Sequence, residues 1–168
     1  MPSKALIALS IFLFPIVLFA QKNNFWEMTD INDLKKEGVI EYSASVENPI
    51  YFKLDKALMS AYLSNAPDRY NQSKSKVLIS IPNPDGKFDT FRIFAAQTMA
   101  PELAKKYSEI KSYVGYNISN KSHAARITIT PQGFYATTVG SEHRTTLINP
   151  YLKNSNQYIV FSSKDAVL

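Results

Sequence analysis

The chain has 168 residues, 45% of them hydrophobic, which is room for one domain with a sizeable core. Its net charge of +5 comes from lysines and arginines scattered along the chain rather than gathered in a run, so charge gives no ground for a nucleic-acid partner. It has no cysteine, which excludes disulfides and any thiolate metal ligand.

The first predicted element is a leader. Lys4 supplies a positive start, Ala5 to Phe19 is apolar, and Ala20 is a small residue ahead of Gln21. The apolar run is about 15 residues, short of the ~20 that span a bilayer. The reading is a signal peptide over 1–20, cut between Ala20 and Gln21. Secretion or periplasmic export follows, with no stable membrane insertion after cleavage and a single domain over 21–168.

Phe25 and Trp26 are expected to pin the mature N-terminus onto the core. Ile31, Leu34 and Lys35 form one short helical turn, and Gly38 opens a polar loop. Asn48-Pro49 marks a boundary before a strand over Ile50 to Leu54. Asp55 stands where an N-cap belongs, ahead of a helix presenting Leu58, Tyr62 and Leu63 on one face and ending at Pro67. A polar loop runs from Asp68 to Ser75.

The clearest pattern follows. Val77, Ile79 and Ile81 alternate with Leu78 and Ser80, and Phe91, Ile93 and Ala95 alternate with Thr90, Arg92 and Phe94. Between them, Pro82-Asn83-Pro84-Asp85-Gly86 carries dense turn chemistry, with Asp-Gly supplying backbone that tolerates φ > 0. This is a β-hairpin. Met99 to Tyr107 then reads as a short helix, with Pro101 in its first turn and Glu102 ahead of Lys105 and Lys106. Lys111 to Asn117 is a third strand. Alternation resumes over 125–130, 134–139 and 145–148, Asn149-Pro150 breaks the run, and 157–162 is the last strand. The sum is an α+β fold, predominantly antiparallel β-sheet built from hairpins and a meander, with one or two short helices.

The hairpin and its sequel also carry a family resemblance. The stretch ISIPNPDGKFDTFRIFAAQTMAPELAKKYSEIKSYVGY resembles the N-terminal pro-region of secreted, reprolysin-like zinc metalloproteases of Bacteroidetes-type bacteria. There a hydrophobic strand runs into P-x-P-D/N-G, then F-x-R-F/I, then M-x-P-x-L-A-x-K-Y-P-x-I-K-x-Y. Ser108 stands here in place of that last motif's second proline. TPQGFYA and INPYLKNSNQYIVF match the later pro-region. The resemblance implies a non-catalytic domain that assists folding of a zinc metalloprotease catalytic domain and masks its cleft. With no thiol to ligate the metal, masking must be steric. The expected contact residues are Pro82, Asn83, Pro84, Asp85 and Gly86, together with Met99, Pro101 and Glu102. The alternative is a stand-alone binding module that holds a partner on a sheet face or edge.

The chemical inventory is thin. The only histidines are His123 and His143, with no His-Glu-x-x-His helix, so they read as surface or hydrogen-bonding residues rather than ligands. There is no G-x-S-x-G elbow and no phosphate-binding glycine loop. No catalytic residue, metal site or cofactor is expected, and no nucleic-acid partner. Asp85 reads as a turn former, and most Tyr and Phe as sheet core.

Overall fold

The computed structural model describes residues 25–34, 46–71, 74–141 and 144–166. The cut at Ala20–Gln21, Lys35, the loop after Gly38 and His143 lie outside the described residues.

Among the described residues, nine strands form one antiparallel sheet: β1 (Trp26–Thr29), β2 (Ile50–Leu54), β3 (Leu78–Pro82), β4 (Phe88–Ala95), β5 (Lys111–Asn117), β6 (Ala124–Thr130), β7 (Gly133–Ser141), β8 (Arg144–Pro150) and β9 (Gln157–Ser162). Two helices, α1 (Lys56–Leu63) and α2 (Pro101–Lys106), complete the fold with a 3-10 turn over Ile31–Asp33. Strands β3 to β9 follow one another as a meander, and β2 then β1 add onto β9, giving the order β1-β2-β9-β8-β7-β6-β5-β4-β3. The fold is α+β and mostly antiparallel, as the alternation predicts.

Alternation decides which face is which. Ile79 and Ile81, Phe91 and Ile93, Ala125, Ile127 and Ile129, and Phe134 and Ala136 are buried on one face, whose core also takes in Trp26, Phe52, Tyr158 and Val160. The sheet curls around this face. Phe88 at the start of β4 meets Phe52 of β2 edge to face at 5.8 Å, although five strands lie between β2 and β4 in the sheet. One inward row permits that curl. Gly115, Ala125, Thr138, Thr146 and Ser162 pair successively across β5 to β9, and none carries a long side chain.

One end of the curl is stopped by α1. Asp55 caps it, accepting from the Leu58 N–H at 2.9 Å. The helix follows the end of β2, and Lys56 Nζ donates to the Pro131 carbonyl on the β6–β7 turn at 3.3 Å. Its buried residues are Met59 and Leu63, while Leu58 is 52% exposed, which corrects the expected face of Leu58, Tyr62 and Leu63. The i, i+4 pair Met59 and Leu63 lies on one side, and Leu58 is turned about 100° from Met59. The helix stops at Leu63, before Pro67.

A smaller apolar cluster lies on the outer face of β2 and β9, where Tyr51, Ile159 and Phe161 pack with Leu34, Tyr151 and Leu152. Strand β9 is therefore buried on both faces. Two further expectations are corrected. Phe25 and Trp26 are buried as expected, but Trp26 opens a strand, β1, that pairs with β2. Asn149-Pro150 does not break β8, because Pro150 still pairs with Tyr158.

Candidate binding cleft

The end of the curl opposite α1 carries the β3–β4 and β5–β6 turns and the approach to the β7–β8 turn. In the first, the Gly86 N–H donates to the Asn83 carbonyl at 3.0 Å and the Asn83 N–H to the Lys87 carbonyl at 2.9 Å. Gly86 sits at φ +74, the left-handed position of a three-residue hairpin loop. Asn83 organises the rest: its Oδ1 accepts from the Asp85 and Lys87 N–H groups, both at 3.1 Å, and its Nδ2 donates to Asp89 Oδ2 at 3.2 Å. Asp85 is thus a turn residue, as its sequence context indicates.

The second turn is built the same way. Asn117 Oδ1 accepts from the Ser119 and Asn120 N–H groups at 2.8 and 3.0 Å. Asn120 Oδ1 accepts from the Ser122 N–H at 3.1 Å, and its carbonyl accepts the His123 N–H at 3.0 Å. Short Asn side chains therefore replace ladder bonds at each bend. The neighbouring turn approaches very closely. Gly140, at φ +100, would place a Cβ 2.5 Å from the Ser122 carbonyl oxygen.

Between these turns lies a cleft of about 520 Å³, within the range that holds small ligands or a peptide side chain. Asn83, Asp85, Lys87 and Asp89 line one wall, Asn117 and Asn120 the other, with His123 and Gly140 alongside. Phe88, 40% exposed, supplies an apolar surface at the mouth.

His123 corrects the sequence reading. It is buried, not a surface residue; its ring stands edge-on to Phe91 at 4.8 Å, and its Nε2 has no hydrogen-bond partner among the described residues. Burial lowers its pKa, and the nearby Asp89 carboxylate pulls the other way without overcoming the desolvation. The imidazole is therefore neutral near pH 7. No sequence signal distinguishes this histidine, because its burial depends on contacts between separate turns.

A larger cleft of about 700 Å³ sits at the α1 end, among Glu27, Lys53, Asp55 and Lys56. Two of its charged groups already serve the fold, since Asp55 caps α1 and Lys56 holds the Pro131 carbonyl.

The expected contact residues divide. Pro82 to Gly86 are at the turn end, and Asn83 and Asp85 line the cleft. Met99, Pro101 and Glu102 follow the other end of β4, at the start of α2. The eight residues of β4 lie between them, about 27 Å of extended chain. The two groups do not share one rim. Among the described residues, no three His, Asp or Glu side chains are grouped to hold a metal ion, and no helix is long and apolar enough to cross a membrane. Compared with known proteins, the chain matches no family model, no curated protein and no solved structure.

Proposed function

We propose that this chain is a secreted, non-catalytic binding domain that engages a zinc metalloprotease catalytic domain, assisting its folding and covering its cleft, as the pro-region resemblance implies. The observation that carries this reading is the turn-end cleft. Its rim is the Pro82–Gly86 turn, the segment of the resemblance richest in turn chemistry, and that turn is held rigid by three bonds to the Asn83 side chain. A rigid turn loses little entropy on docking, so its contacts convert more fully into affinity. Bound to the native protease alone, such a domain stabilises the folded enzyme by mass action.

The experiment adds the purified chain in trans to a reprolysin-like zinc metalloprotease. Slower substrate cleavage and a higher refolding yield are expected, both weakened by Asp85→Lys. No inhibition and no refolding gain at tens of micromolar would overturn the protease reading.

A stand-alone binding module is the second reading. It is favoured by the outward face of β4 to β6, where Phe94 and Tyr116 stack at 6.0 Å in a patch that carries arginines and no carboxylate.

A further inference from the structure

The outward positions of β4 to β8 can be read from the register. Arg92 pairs with Tyr116 and Tyr116 with Ala124, while Phe94 pairs with Val114 and Val114 with Arg126. Two adjacent rows therefore hold two arginines on strands two apart, about 10 Å across the sheet, with two rings between them. The Phe94 and Tyr116 rings stack at 6.0 Å with their planes within 29° of parallel, so they form one aromatic pair on this face. Both rings and Arg92 are half-buried, and Arg126 is exposed.

The charge on this face has one sign. The other outward positions of β4 to β8 are chiefly Thr, Ser, Ala, Val, Leu, Tyr and Asn, with no Asp or Glu among them. Arg92 donates to the Ser75 carbonyl, which ties its guanidinium to the segment leading into the edge strand β3. Neither arginine pairs with a carboxylate among the described residues. A ligand for this face is therefore anionic, presents apolar surface to the ring pair, and can use a fringe of hydroxyls.

We infer that the outward face of β4 to β6 binds an acidic polysaccharide, a chain of uronate-type sugars. Pyranose C–H bonds carry a partial positive charge that suits the π-electron density of an aromatic pair such as Phe94 and Tyr116. A sugar carboxylate takes a guanidinium in a two-point bond, the strong form of this contact. The flanking threonines and serines match sugar hydroxyls. Two arginines are few for a phosphate backbone, which favours sugar over single-stranded nucleic acid. This inference is independent of the cleft and of any protease.

The test is titration of the intact chain with oligogalacturonate, with maltohexaose and an oligothymidylate as comparison ligands. Oligogalacturonate should bind, more weakly as salt is raised, and maltohexaose should not. Arg126→Glu, at an exposed position, should cost about tenfold or more in affinity with an unchanged melting temperature. Phe94→Leu keeps an apolar side chain but removes the ring face, and it too should weaken binding. No binding of oligogalacturonate, tighter binding of oligothymidylate, or full affinity in Arg126→Glu would each overturn the inference.

Discussion

The two ends of the curled sheet are built from opposite chemistry. At the α1 end, Trp26 stands edge-on to Phe52, Phe134 and Tyr158 at 5.5 to 6.2 Å, and Met59 and Leu63 close the space. At the turn end the interior narrows to Gly115, Ala125, Thr138, Thr146 and Ser162, and asparagine-capped turns replace apolar packing. The contrast shows how unevenly the sheet distributes its apolar burial. Large aromatic burial secures one end, so the other can present polar turns and an open cleft without unfolding the sheet.

The largest expected effect breaks the aromatic end. Phe134→Ala removes a fully buried ring from the Trp26 cluster and should cost about 3–5 kcal/mol by chemical denaturation. A loss below about 1 kcal/mol would mean this end does not carry the fold.

That end was only partly legible in the sequence. Strands β2 and β5 and the Asp55 cap follow from local pattern at the observed bounds, because each depends on residues a few positions apart. Strand β1 did not: four residues, Trp-Glu-Met-Thr, are too few to show a period. Nor did the buried face of α1, since 57, 58, 59, 61, 62 and 63 are all apolar or aromatic and leave no polar side to contrast. The order of the sheet and the burial of His123 depend on contacts far apart in the chain, which no local pattern encodes. The Pro82–Gly86 turn was legible, because its chemistry is local. That it is remote from Met99–Glu102 was not.

The next effect strikes the turn end through its backbone. Gly140→Val forces a β-branched residue into φ +100 with its Cβ against the Ser122 carbonyl, and should cost about 2–3 kcal/mol. Gly86→Val shares the backbone conflict, but its Cβ meets the movable Met28 Cε at 2.8 Å, so a smaller loss of about 1–2 kcal/mol is expected. Equal denaturation midpoints for either variant and the parent would contradict the turn geometry.

His123 sharpens the comparison with pH. Its folded pKa lies below the ordinary value near 6.5 of the unfolded chain, so the unfolded state takes up a proton first. Its contribution to stability is complete above pH 6.5 and is lost as pH falls below that value toward the folded pKa. Urea midpoints should drop from pH 7.5 to 5.5 in the parent, and drop less in His123→Gln. An identical drop in both would assign the pH dependence elsewhere.

The smallest effect concerns a hydroxyl. Thr146 is buried in the small row, and its Oγ1 has no partner among the described residues. Thr146→Val keeps the shape and removes an unpaired polar group, so stability should hold or rise by up to about 1 kcal/mol. A clear loss would show that the hydroxyl is bonded in solution.

The docking of the turn end is tested most directly by amide hydrogen exchange on the chain alone and mixed with a reprolysin-like zinc metalloprotease domain. New protection is expected to be confined to residues 83–90 and 117–123, with exchange in α1 and α2 unchanged. Protection appearing at 101–106 instead, or nowhere, would contradict that docking.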